Sequence, residues 1–163
     1  MIKPAATQGL TIVARNKKAR HDYDIEETVE AGLELMGSEV KSLRDGRASL
    51  SDSYAMPESG QLFLHHLNIS PYAAASVLGH QPLRTRRLLL KRREIDRLAQ
   101  KIAERGYALI PLQLHFRNGW AKVELGLARG KNSVDKRQDL RERETRREVE
   151  RAMSARHRGK AVD

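Results

Sequence analysis

The sequence holds no cysteine, only one Trp, four Tyr and two Phe, and no long apolar run. Without thiols there can be no disulfide framework, no thiolate metal site and no cysteine nucleophile. No stretch approaches the roughly 20 apolar residues that span a bilayer, and Met1 to Arg20 lacks the apolar core of a signal peptide. A cytoplasmic protein in a reducing compartment is the expectation. The six histidines (His21, His65, His66, His80, His115, His157) show no metal-ligand spacing, and no Gly-rich loop carries the lysine of a phosphate-binding motif. Ser38-Glu39-Val40-Lys41 matches the Ser-x-x-Lys of serine hydrolases, but no Lys-Thr-Gly follows and a capped helix accounts for the match. Neither catalysis, nor a cofactor, a metal or a small-molecule substrate is expected.

Acidic charge is also in short supply. Against 31 Lys and Arg stand 21 Asp and Glu, a net charge of +10 in 163 residues, which points to a polyanionic partner. The surplus is uneven. Residues 1–20 carry Lys3, Arg15, Lys17, Lys18 and Arg20 with no acid, and residues 129–163 hold 12 bases against 7 acids, so each end contributes +5. The centre is neutral overall, yet it contains Arg84, Arg86, Arg87, Lys91, Arg92 and Arg93 within ten residues and no acid among them. Three basic regions favour RNA over a merely solvated surface. Phosphate contacts give affinity without sequence reading, so specificity must come from shape or from stacking on flat side chains such as His21, Tyr23 and Trp120. The acids Glu26, Glu27 and Glu30 fit two readings, solubilising charges that hold neighbouring arginines or a functional site.

The hydropathy pattern is mostly that of strands. Val29, Ala31, Leu33 and Leu35 alternate with polar residues, and Ser53–Met56 and Gln61–Ile69 flank the turn-forming Pro57-Glu58-Ser59-Gly60. Between the first strand and this hairpin, Ser38 is expected to cap a short helix that Gly46 stops. Residues 70–87 show no period and are expected to touch RNA or to be disordered. Ile95, Leu98, Ala99 and Ile102 have helical spacing, predicting an amphipathic helix over Lys91–Arg105 ended by Gly106. Two alternating runs, Ile110 to Phe116 and Ala121 to Leu127, enclose Asn118-Gly119, the strongest short hairpin signal.

These elements predict a mainly β fold, a small antiparallel OB-like β-barrel closed by helices. A flexible basic arm over 1–15 precedes the barrel domain of 16–130. From Arg129 onward no aromatic residue occurs and apolar residues are too sparse for a core. The tail of 131–163 is expected to be disordered when free and helical against a polyanion, with Lys136, Leu140, Arg143, Arg147 and Arg151 on one face.

The residues themselves are familiar in combination. Asn16-Lys17-Lys18-Ala19-Arg20-His21-Asp22-Tyr23, Glu30-Ala31-Gly32-Leu33, Glu39-Val40-Lys41-Ser42-Leu43-Arg44, Asp52-Ser53-Tyr54, Ile69-Ser70-Pro71, Pro82 to Leu90, Asn118 to Val123 and Asp135-Lys136-Arg137 resemble, in order, the SmpB family. These are the tmRNA-binding proteins of bacterial trans-translation. The resemblance runs from about Asn16 to Met153 and implies an RNA-binding adaptor that brings the tRNA-like domain of tmRNA, with elongation factor Tu on the alanyl-charged RNA, to stalled ribosomes. It places Asn16, Lys17, Lys18, Arg20, His21, Tyr23, Glu30, Arg86, Arg87, Leu89 and Lys122 at tmRNA. It assigns Arg129, Gly130, Lys131, Asp135, Lys136 and Arg137 to the start of a tail that enters the empty message channel beyond the decoding centre of the small ribosomal subunit, a tail that the basic helical face with Arg143 and Arg147 would continue. Two positions depart from the family pattern: Asp24 stands where an aromatic is common, and Asn132-Ser133-Val134 replaces a stretch that often has another base. The rival expectation from charge alone is an assembly protein bound to ribosomal RNA.

Overall fold

The computed structural model describes residues 9–72, 79–104, 106–130 and 133–159. In chain order the elements are β1 (Leu10–Arg15), α1 (Ala19–Asp22), β2 (Tyr23–Leu33), α2 (Gly37–Arg44), β3 (Ala48–Ser49), β4 (Tyr54–Glu58), β5 (Gln61–His65), β6 (Asn68–Ile69), β7 (Arg86–Leu89), α3 (Arg92–Ala103), β8 (Tyr107–Arg117), β9 (Trp120–Gly130) and α4 (Ser133–Gly159). The chain divides into two compact units, residues 1–130 and 131–163.

In the first unit the strands pair antiparallel in the order β1-β8-β4-β5-β7-β2-β9, and β9 pairs back onto β8. This closes the expected OB-like ring, although its seam between β4 and β8 is a single pairing, Ala55 with Leu109. The β2–β9 and β8–β9 ladders are the longest, each eleven residues per strand, and each absorbs one bulge, at Ile25/Glu27 and at Pro111/Gln113. Alternation decides what fills the ring: Ala31 and Leu33 of β2, Leu62 and Leu64 of β5, Leu109 and Leu114 of β8, and Val123 and Leu125 of β9 point inward and are buried. Leu43 of α2 and Ile95 and Leu98 of α3 close the same core. A second, smaller cluster forms outside the ring, where Ala19 of α1 sits against Ile110, Leu112 and Ala128, with Tyr23, Ile25 and Tyr54 around them.

The Asn118-Gly119 turn has φ of 50° and 82°, the positive pair that a type I′ hairpin requires. Ser59 and Gly60 do the same for the β4–β5 hairpin, with φ of 51° and 75°; Pro57 and Glu58, expected in the turn, belong to β4 instead. The α3 helix ends at Ala103, and Gly106 takes φ of 84° shortly after.

Three expectations need correction. Residues 10–15 were assigned to a flexible arm, but the β-branched run Thr11-Ile12-Val13 pairs with β8 as β1; residues 1–8 of that arm lie outside the described residues. Ser38 does not cap α2. The N-cap is Met36, whose N–H donates to Glu39 Oε1 at 2.8 Å, whereas Ser38 Oγ meets Nδ1 of the buried His80 at 2.9 Å. His80 Nε2 donates to Ile69 O at 2.9 Å, so this ring nitrogen carries the proton and Nδ1 accepts from Ser38. The segment 70–87 is not uniformly irregular: β7 begins at Arg86 and Ile69 N–H bonds Pro82 O at 3.0 Å. Residues 73–78 lie outside the described residues.

The second unit is the helix α4, of 27 residues. Its described side chains, Arg137, Arg143, Arg147 and Arg151 among them, are exposed. Leu140, Val149 and Met153 are 46%, 48% and 65% exposed, in keeping with a tail that has no core of its own. Among the described residues no helix is long and apolar enough to cross a membrane.

Candidate nucleic-acid interface

The strand register brings together positions far apart in sequence. Outward-facing residues of neighbouring strands form a row in which Leu89 pairs with Gly32, Gly32 with Lys122, Lys122 with His115, and His115 with Ile12. One row along, Glu30 pairs with Glu124, Glu124 with Gln113, and Gln113 with Arg15. On the other side, Arg117 pairs with Trp120 and Leu10. The outer face of β7, β2, β9, β8 and β1 thus carries Leu89 and Lys122 in one row, on either side of Gly32, and Glu30 two residues along β2 in the next. Leu89 is 47% exposed and Trp120 73%. Leu89 lies directly over Gly32, where an added Cβ would come within 3.1 Å of the leucine Cβ, so the glycine makes room for it.

The basic residues at the end of β1 reach the same face. Asn16 turns the chain there: its backbone N–H donates to Leu112 O at 2.8 Å and its side-chain Nδ2 to Pro111 O at 3.0 Å. Anchored in this way, Asn16 holds the following Lys17 and Lys18, both exposed, and the one-turn helix carrying Arg20. Arg15, Asn16, Lys17 and Arg20 line a cleft with Leu112, Gln113 and Glu124. His21 Nδ1 meets Asp22 Oδ1 at 3.0 Å. Tyr23 is partly buried in the outer cluster, and Asp24 is exposed opposite Arg129 in the β2–β9 ladder.

Glu30 is held by two side chains of β8. Its Oε2 receives His115 Nε2 at 2.9 Å and Arg117 Nη2 at 2.9 Å, and Arg117 Nε approaches Oε1 at 3.2 Å. Burial alone would raise its pKa, but hydrogen bonds from His115 and Arg117 outweigh that and lower it, so the carboxylate stays ionised. Sequence reasoning did not single out His115 and Arg117 for this face. The Asn118-Gly119 turn held the signal, because a two-residue hairpin fixes Arg117 opposite Trp120 and His115 beside Lys122.

The cationic run of residues 84–93 is less available than its composition suggests. Arg86 was expected at RNA; it is 0% exposed and pairs through Nε with Glu39 Oε2, while Nη1 donates to Leu67 O and Nη2 to Pro82 O at 3.1 Å. It is a core residue, and the expected RNA contact is corrected: a buried charge is tolerated only with such partners. Arg84 Nη2 donates to Glu39 Oε1 at 2.5 Å. Arg87 Nε meets Glu34 Oε2 at 2.7 Å, yet it remains partly exposed beside Leu89 on β7.

Of the tail positions, Arg129 and Gly130 end β9 and are exposed; the Arg129 guanidinium lies 4.6 Å from the centre of the Tyr107 ring. Lys131 lies outside the described residues, as do the side chains of Asp135 and Lys136, while Arg137, Arg143 and Arg147 are exposed on α4. Among the described residues no group of three His, Asp or Glu side chains could hold a metal ion.

Residues 13–155 match the family model described as SmpB protein. The chain is 59% identical over 148 residues to an SsrA-binding protein of Myxococcus xanthus, covering 91% of each. It is 56% identical over 145 residues to an SsrA-binding protein of Geobacillus thermodenitrificans, covering 89% of this chain and 94% of that one. A solved structure described as "tmRNA-SmpB: a journey to the center of the bacterial ribosome" superposes with a TM-score of 0.63 at 48% identity, covering 74% of this chain and 85% of the other.

Proposed function

This chain belongs to the SmpB family, and from that premise we propose that it is an RNA-binding adaptor. It binds the tRNA-like domain of tmRNA and delivers it to stalled ribosomes for trans-translation. The observation that carries the reading is the outer sheet face, where the ring's register sets Glu30, Leu89 and Lys122 on the face that the Asn16–Arg20 turn borders through Arg15 opposite Gln113. A half-exposed apolar side chain beside several cations suits a folded RNA, which offers both phosphates and stacked or splayed bases. The relatives are SsrA-binding proteins and the structural neighbour is a tmRNA–SmpB assembly at the ribosome, which favours this reading over a ribosomal-RNA assembly protein.

The finer assignments follow from the same reading. The face contributes Lys17, Lys18, Arg20, Leu89, Lys122 and the edge of Arg87 to tmRNA, with His21 and Tyr23 beside the turn. Asn16 acts by holding that turn against β8. The unit from residue 131 onward, entered through Arg129 and Gly130, is the ribosome-facing part: its exposed Arg137, Arg143 and Arg147 pair with ribosomal RNA phosphates along the decoding centre and empty message channel. Elongation factor Tu joins through the alanyl-charged tmRNA. The protein performs no covalent chemistry and works in the cytoplasm. Competition binding at physiological salt tests the reading: the tRNA-like domain of tmRNA should displace a labelled probe far better than an unrelated structured RNA of equal length, and equal competition would refute it.

A further inference from the structure

The outer face presents a carboxylate where RNA phosphates would approach. An ionised acid on such a face opposes binding unless it serves a cation, and both oxygens of Glu30 are taken by protein donors. We propose that Arg117 is a phosphate-contacting residue of this face and that Glu30 is its positioning residue, braced from beneath by His115. The inference rests on the tmRNA reading above and assigns roles within that same site.

The geometry supports each part. Arg117 Nε and Nη2 lie 3.0 Å and 2.9 Å from Glu30 Oε2, a side-on clamp that fixes the guanidinium plane. A long side chain already held in one orientation loses less freedom when it meets a ligand, so the clamp raises affinity by preorganisation. His115 is 3% exposed, against 34% for Glu30 and 31% for Arg117, and so lies inside the face while its two partners lie at its surface. Gln113 Nε2 is 3.3 Å from His115 Nδ1; an amide nitrogen only donates, which leaves Nδ1 as acceptor and puts the proton on Nε2, aimed at Glu30. The neighbours are those of a binding face: Lys122 is the cross-strand partner of His115, and the 73% exposed Trp120 is that of Arg117.

Simple electrostatics and positioning predict opposite signs for one substitution. Removing an acid from an RNA-facing surface should tighten binding if Glu30 only repels phosphate. If Glu30 positions Arg117, Glu30→Gln should weaken binding although the protein becomes more positive. The test measures affinity of the full chain for the tRNA-like domain of tmRNA across a salt series, for Glu30→Gln, Arg117→Ala and the double variant. Each single change should weaken binding about tenfold or more and flatten the logarithmic salt dependence by about one phosphate's worth. The double variant should be no worse than the weaker single one, because both remove the same contact. Arg117→Lys, which keeps the charge and loses the fork, should also weaken binding while thermal unfolding stays unchanged. Tighter binding by Glu30→Gln, additive losses, or wild-type affinity and salt slope in Arg117→Ala would each overturn the inference. If the wild type itself fails to prefer this RNA over an unrelated structured RNA, the functional reading fails instead.

Discussion

Glu39 and Arg86 form an ion pair in the core of the strand ring, with both side chains 0% exposed. The carboxylate also accepts from Arg84 Nη2 at 2.5 Å and from the Met36 N–H at 2.8 Å, joining α2 to the segment before β7. Removing one partner strands the other charge, so Glu39→Ala should destabilise the fold by about 3–5 kcal/mol. Denaturant unfolding measures this directly, and a loss below about 1 kcal/mol would contradict it.

The same pair gives the stability a pH dependence. Burial would raise the Glu39 pKa, but hydrogen bonds from Arg84, Met36 N–H and Arg86 overcome it and lower the pKa from its usual 4.5. Glu30 is lowered too. A carboxylate whose folded pKa lies below its unfolded one contributes its full stabilisation above the unfolded value. That contribution falls away as pH drops through the folded value, because the unfolded state then binds more protons. Stability should therefore hold near neutrality and decline below about pH 4.5, less steeply in Glu39→Gln. Equal acid slopes for the two proteins would contradict the assignment.

Gly119 sits at φ of 82°, and among the described residues beyond its chain neighbours no atom lies within 4 Å of where a Cβ would stand. Gly119→Ala therefore meets backbone strain and no clash, and it should cost about 1–2 kcal/mol. A cost near zero by thermal unfolding would mean that the turn can relax out of its left-handed conformation.

Leu89 is an exposed apolar residue with a place to be and little to hold. Leu89→Asp should change unfolding by no more than about 0.5 kcal/mol, as expected for a surface position. Its affinity for tmRNA should nevertheless fall about tenfold, since the substitution puts a negative charge at the end of the row that holds Lys122. An unchanged affinity would remove Leu89 from the interface.

Local chemistry made much of this molecule legible in its sequence. Alternation in Val29–Leu33 and Ala121–Leu127, the spacing of Ile95, Leu98 and Ile102, and the Asn118-Gly119 pair each act over a few residues, and the corresponding elements are present. What could not be read depended on distant partners. The charge of Arg86 counts as basic in any window, and it is Glu39, 47 residues earlier, with the carbonyls of Leu67 and Pro82, that makes it a core residue. β1 was hidden because Arg15 and the lysines after it made the region read as an arm, while its pairing strand begins at Tyr107. The family resemblance supplied Glu30, but its partners His115 and Arg117 on the outer sheet face emerge only from the β2–β9–β8 register.

The tail should separate from the barrel in function. A chain ending at Gly130 keeps the whole core and the outer face, so it should bind tmRNA with an affinity close to that of the full chain and unfold at the same denaturant concentration. Strong loss of RNA binding on truncation would refute that division.

The adaptor role is tested most directly by tagging in a purified translation reaction on a message without a stop codon, supplied with alanyl-charged tmRNA and elongation factor Tu. The full chain should add the tmRNA-encoded tag to the stalled product, and omission of the protein or truncation at Gly130 should abolish it. Absence of tag with the full chain present and bound to tmRNA would contradict the account.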